Sequence, residues 1–161
     1  MTDTGSNQSF CPERLEAERV VLLPLSDHCM TDDSMDIWYA IIDKEEHTSI
    51  GMIGMVRRHP EWKNTGLWIV IPDEQNRREG YGMEALGLME RYIFDSLEYQ
   101  RIAVQIAEYD QDTVCFFKKA GYKLEGVQEL GYFCDGMYCD LILLRLLRKE
   151  YINLKSSSKI H

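Results

Sequence analysis

Residues 67–83 constrain the fold of this chain more than any other stretch. An apolar run, Leu67-Trp68-Ile69-Val70-Ile71, leads through Pro72-Asp73 to Arg77-Arg78-Glu79-Gly80-Tyr81-Gly82, and an amphipathic stretch opens near Met83. Strand, glycine-containing loop and helix in that order turn unpaired N–H groups, at the positive end of a helix dipole, toward the strand's end. Such a place favours an anion, phosphate above all. Two glycines let the backbone approach without a Cβ in the way. Two arginines add charge in a shape that matches phosphate. The stretch therefore predicts a pyrophosphate site.

The remaining numbers set bounds. A length of 161 residues predicts one domain. Net charge is −9, from 27 acids against 18 bases, which argues against general nucleic-acid binding. It fits a cationic or amine partner, or simple solubility. Five cysteines, at 11, 29, 115, 134 and 139, make an odd count without a CxxC pair, and the four histidines form no HxxxH pair. No metal site is expected, and the cysteines read as reduced, mostly core or strand residues of a cytoplasmic protein. No segment approaches the roughly 20 apolar residues of a membrane helix, so no membrane partner is expected. Residues 1–12 and 152–161 read as flexible tails around one domain at 13–151.

Along the chain, Val20–Leu25, Ile37–Ile42, Ser49–Val56 and Gly66–Ile71 read as strands. His28–Ser34 is a polar link and Arg57–Asn64 a loop. Gly51 and Gly54 mark bulges or close backbone contacts. Ala85, Leu86, Met89, Ile93 and Leu97 share one helical stripe, with Glu84, Glu90 and Arg91 elsewhere. Arg101–Ala107 alternates as a strand. Gln111–Ala120 reads as a second helix, Val114 and Phe117 inward, stopped by Gly121. Tyr122–Phe133 and Met137–Leu147 flank Asp135-Gly136, a type I′ hairpin signal. The order is β-β-β-β-α-β-α-β-β.

With these segments in place the chain resembles the GNAT superfamily of acyl-CoA-dependent N-acetyltransferases. The branch it looks most like holds ribosomal-protein N-terminal acetyltransferases and spermidine acetyltransferases. The family motif Gln/Arg-x-x-Gly-x-Gly/Ala is met by Arg77-x-x-Gly80-x-Gly82. The likeness continues through Asp110 to Tyr122, and then through Leu124-Glu125-Gly126-Val127, Phe133-Cys134-Asp135-Gly136 and Asp140-Leu141. Gly80-x-Gly82-x-x-Ala85 also satisfies a dinucleotide fingerprint. That fingerprint expects its first glycine directly after the strand, however, and here Pro72–Glu79 intervene.

The resemblance implies a mixed α/β fold: a twisted, mostly antiparallel sheet with splayed central strands and two main flanking helices. The N-terminal helices would be shortened or missing, because His28–Asp36 cannot hold two. It implies acetyl-CoA as co-substrate and a primary amine as acceptor. Backbone groups of Ile69, Val70 and Ile71 would pair with pantetheine. Arg77, Arg78, Glu79, Gly80, Tyr81 and Gly82 would hold the pyrophosphate. Asp110, Thr113, Phe116 and Phe117 would line the cofactor, with Asp110 where the family often has Asn. The Val70 N–H would polarise the thioester carbonyl. Phe117 stands where the family commonly has an acidic Tyr, so Thr113 is the candidate for assisting the leaving thiolate, or else a helix-start residue bonding its own backbone. Glu108 and Glu74 are candidates for the base, with a water relay as the other route. Trp38, Tyr39 and Trp62 could line an acceptor groove, and Asp27, Asp32, Asp33 and Asp36 could attract the amine. Cys115 would be buried. Two readings follow: an N-acetyltransferase acting by direct attack in a ternary complex, or a catalytically weak CoA-binding sensor or assembly protein. The acceptor pocket would be open, completed by a second copy in a homodimer, or lost.

Overall fold

A computed structural model describes residues 13–25 and 36–159. Eight strands form one sheet: β1 (Leu15–Glu16), β2 (Val20–Pro24), β3 (Ile37–Asp43), β4 (Ser49–His59), β5 (Asn64–Val70), β6 (Arg101–Ala107), β7 (Lys123–Cys134) and β8 (Met137–Leu147). Their order is β1-β2-β3-β4-β5-β6-β8-β7, antiparallel throughout except for the β5–β6 pair. Four helices accompany them: α1 (Glu74–Arg78), α2 (Tyr81–Arg91), α3 (Gln111–Lys119) and α4 (Arg148–Ser158).

Strict alternation builds the sheet. In β3 every second residue is buried, from Ile37 through Tyr39 and Ile41 to Asp43. Leu22, Tyr39, Ile41, Ile53, Met55 and Leu67 present this inner face to Ala85, Leu86 and Met89 of α2, and Val114, Phe117 and Tyr151 join the same core. Each fully buried aliphatic side chain stabilises the fold by roughly 1.5–3 kcal/mol. The apolar stripe foreseen for α2 is in place. Past Arg91 it continues as a π-helical turn, Tyr92–Ser96, that keeps Ile93 and Phe94 inward.

The glycines at 51 and 54 mark close approaches, as expected. A Cβ on Gly51 would lie 2.3 Å from the Val70 carbonyl oxygen, and one on Gly54 would lie 2.4 Å from the Trp38 ring. Asp135 and Gly136 both have positive φ, 51° and 77°, which gives the type I′ turn. Gly121, at φ 97°, ends α3.

Several expectations need correction. The loop foreseen at Arg57–Asn64 is strand at both ends, and only 60–63 form a turn. β4 runs on to His59 through a bulge, where the register steps from Val56↔Gly66 to His59↔Asn64. Pro72–Glu79 is not plain loop, because Asp73 caps α1 by accepting from the Asn76 N–H. Residues 152–158 are not a tail: they belong to α4, whose Tyr151 is buried and whose Leu154 packs against Gly121. The tail at 1–12 lies outside the described residues. So do residues 26–35 of the interval where the N-terminal helices were expected to be missing. That interval opens and closes in one place, since the Leu25 N–H donates to the Trp38 carbonyl.

Candidate active site

The sheet opens between β5 and β6. Only Asn64↔Arg101, Thr65↔Ile102 and Gly66↔Ala103 pair. Beyond Gly66, β5 stays with β4 while β6 stays with β8 as far as Ala107↔Leu141. Among the described residues Leu67 to Val70 thus have no partner on the β6 side. Backbone groups in a strand alternate between its two neighbours, so part of this segment's N–H and C=O groups face an open slot.

At the end of the slot stands the N-terminus of α2. Gly80, its N-cap, has φ 85°, and no side chain caps the helix. The first N–H groups, on Gly80 to Met83, therefore lack intrahelical acceptors. The Glu79 N–H is spent on the Gln75 carbonyl of α1 (3.1 Å), which removes it from the expected anion cradle. A Cβ on Gly82 would meet Ile71 Cδ1 at 3.3 Å and Phe116 Cε2 at 3.4 Å. The end of β5, the start of α2 and the first turns of α3 converge there. Arg77 and Arg78 sit exposed in the last turn of α1, and Arg78 pairs with Glu74 four residues back at 2.5 Å. Tyr81 keeps its ring inward and donates from its hydroxyl to buried Asp43 (3.2 Å).

The start of α3 is self-contained. Asp110 accepts from the Thr113 N–H at 3.2 Å and from the Thr113 hydroxyl at 2.7 Å. The hydroxyl proton foreseen for the leaving thiolate is thus given to a carboxylate, the pattern of a helix cap. Phe117 does not line the slot: it is 2% exposed and packs edge-to-face on Tyr122, because its position on α3 points at the core. Phe116 is the aromatic that reaches Gly82. Cys115, foreseen as buried, is exposed. Glu108 follows β6, and its Oε1 accepts from the Asp140 N–H (3.1 Å). Beside it Tyr109, Cys134, Tyr138 and Cys139 line a cleft of about 410 Å³.

The outer face of the sheet carries the aromatic candidates, but not together. Trp38, Gly54 and Trp68 stand in one row across β3, β4 and β5, and the two indoles meet edge to face at 5.3 Å. Tyr39 is wholly buried on the opposite face. Trp62 stacks on His59 near the paired end of β5, away from the slot. Asp27, Asp32 and Asp33 lie outside the described residues. Asp36 accepts the Arg57 N–H at 2.9 Å.

The sequence left out one clamp. Arg19, just before β2, donates to Glu84 of α2 (2.9 Å) and to the Glu79 carbonyl (3.0 Å), and its guanidinium lies over the Tyr81 ring. Burial pushes the Glu84 carboxyl up, but the backbone and side-chain hydrogen bonds from Arg19 outweigh it and hold the group below its usual range. No spacing rule links residues 65 apart, so only the fold brings this pair together.

The sequence model of the Acetyltransferase (GNAT) domain matches residues 11–123. The chain belongs to the GNAT acetyltransferase family. It is an N-acetyltransferase, and GNAT acetyltransferases use acetyl-CoA as co-substrate. Comparison with curated protein sequences finds no match.

GNAT structures share the architecture. A crystal structure of a candidate acetyltransferase superposes with a TM-score of 0.80 at 18% identity, covering 91% of this chain and 92% of that one. Spermidine/spermine N-acetyltransferase SpeG from Vibrio cholerae superposes with a TM-score of 0.69 at 18% identity, over 77% and 71%. The same organism's spermidine N-acetyltransferase, in a dodecameric structure, gives 0.69 at 19%, over 76% and 70%. At such identities the likeness is one of fold. Among the described residues no three His, Cys, Asp or Glu side chains group as metal ligands, and no helix is long and apolar enough to cross a membrane.

Proposed function

We propose that this GNAT member transfers the acetyl group of acetyl-CoA to a primary amine by direct attack within a ternary complex. The observation that carries the reading is the β5–β6 slot ending at an uncapped helix N-terminus. Acetyl-CoA supplies an activated acetyl thioester. Those backbone groups of the Ile69-Val70-Ile71 stretch that face the slot hold the pantetheine arm, with the Val70 N–H as the donor to the thioester carbonyl. N–H groups of Gly80, Tyr81 and Gly82, with Arg77 and Arg78 nearby, hold the pyrophosphate. Phe116 closes the slot above Gly82, and Asp110 and Thr113 fix the start of α3. Proton transfer runs through water, with Glu108, the first residue after β6, as the carboxylate.

The same reading covers location and assembly. A cytoplasmic setting is supported by free thiols at Cys115, Cys134 and Cys139. A second copy as partner is supported by β7, a free sheet edge beside exposed Leu130, Phe133 and Tyr138.

Calorimetric titration with acetyl-CoA, followed by thiol release against an amine panel, tests the proposal. Binding with release on one amine class is expected. Binding without release would leave a CoA-binding protein, and absence of binding would remove the slot from the account.

A further inference from the structure

Arg57 has an unusual setting. It is a non-glycine residue at φ 47°, in the β4 bulge, with its N–H held by Asp36. Left-handed backbone at such a residue is strained and persists where the surroundings over-determine it. The guanidinium runs across β5 where Gly66 lacks a side chain: a Cβ there would lie 3.2 Å from Nη2. On the far side Nη1 donates to Gln105 Oε1 of β6 at 2.6 Å. Gly66 is the last β5 residue paired with β6, and Gln105 lies two residues past its partner Ala103. The charge is therefore fixed at the bottom of the slot, on the outer face. Trp68, two residues along from Gly66, shares that face and is 46% exposed.

What holds the guanidinium does not neutralise it. Arg14, Arg19, Arg78, Arg101 and Arg145 each pair with a carboxylate. Among the described residues Arg57 has no ion-pair partner, and its side-chain ligand is a neutral amide. A positioned guanidinium with free donors suits a carboxylate or another planar anion. It also disfavours a polycation at the same spot. Trp68 and Trp38 offer an apolar wall beside it.

We propose that Arg57 is a specificity residue that selects acceptors carrying an anionic group near the reacting amine, such as free amino acids. This rests on the reading of the slot as the acetyl-transfer site. Arg57 binds the acceptor carboxylate, Trp68 takes the acceptor's apolar part, and the amine is left facing the β5–β6 opening.

The test compares kcat/KM for thiol release, using the full chain, over L-amino acids, their carboxamides and spermidine at matched concentrations of free amine. A charge-assisted hydrogen bond predicts a preference for the acid over its amide of roughly tenfold to a hundredfold. Arg57→Gln should abolish that preference while acetyl-CoA affinity holds. Gln105→Glu, which places a carboxylate on Nη1 and leaves the arginine in position, should abolish it too, and so covers the case in which Arg57→Gln fails to fold. Amides or spermidine turned over as well as the acids, or a preference surviving both substitutions, would overturn the assignment alone. Release from no amine at all would overturn the transfer reading and this inference with it.

Discussion

Glu90 offers a test of the core that is independent of any substrate. It sits on α2 beside the core residue Tyr122, only 8% exposed, and neither its Oε1 nor the Tyr122 hydroxyl has a hydrogen-bond partner of regular geometry. Burial pushes its carboxyl up to about 7, against a smaller opposing pull from the Tyr122 hydroxyl. An unfolded glutamate titrates near 4.5. Between those values the folded chain keeps a proton that the unfolded chain has released, so stability falls as pH rises. Below about 4.5 this contribution is fully present, and above about 7 it is gone. At about 1.36 kcal/mol per pH unit the loss is on the order of 3 kcal/mol. Glu90→Gln is neutral at every pH and nearly isosteric. Urea unfolding at pH 5 and pH 8 should show the wild type losing most of that stability and the variant losing far less, so that the variant is the more stable protein at pH 8. Equal pH dependence in both proteins would refute the argument, because the titrating group would then lie elsewhere.

Three further outcomes follow from the packing. Gly54→Ala forces a methyl group into the Trp38 ring, so stability should fall by about 1–3 kcal/mol in urea unfolding, with a shift in tryptophan emission as the Trp38–Trp68 contact opens. Gly82→Glu puts a side chain between Ile71 and Phe116 and a negative charge at the α2 N-terminus. Titration calorimetry should show acetyl-CoA affinity falling by roughly a hundredfold or more, with the far-UV spectrum kept. Thr113→Val removes a hydrogen bond to Asp110, so stability should drop by about 1 kcal/mol with kcat little changed; a large kcat loss at unchanged acetyl-CoA affinity would return the hydroxyl to the chemistry.

What the sequence disclosed was local. Alternation in Ile37–Asp43, the helical stripe through Ile93 and the Asp135-Gly136 turn each depend on neighbours a few residues away, and each was legible. The strand and helix read on either side of the motif at Arg77–Gly82 are present as β5 and α2. Details that depend on three-dimensional neighbours were hidden. Phe117 and Phe116 are adjacent and chemically alike, and only the facing of α3 decides which one reaches Gly82. Glu90 fell off the apolar stripe and yet is buried, with Tyr122 of the core beside it. The bulge at Arg57 was hidden because His59-Pro60 reads as loop, whereas pairing with β5 carries the strand through it. Lys155–Ser158 look like a tail in composition, but Leu154 and Tyr151 anchor them.

That anchor joins two distant ends. Leu154 of α4 rests on Gly121, where α3 ends, while Tyr151 and Lys155 hold Asp95, in the turn that continues α2. The same two helices also touch beside the slot, where Gly82 meets Phe116. α4 thus clips together, at the far side, the pair of rods that border the slot. α4 resists spreading of those far ends, so losing its contacts with Gly121 and Asp95 should loosen the two rods that border the slot.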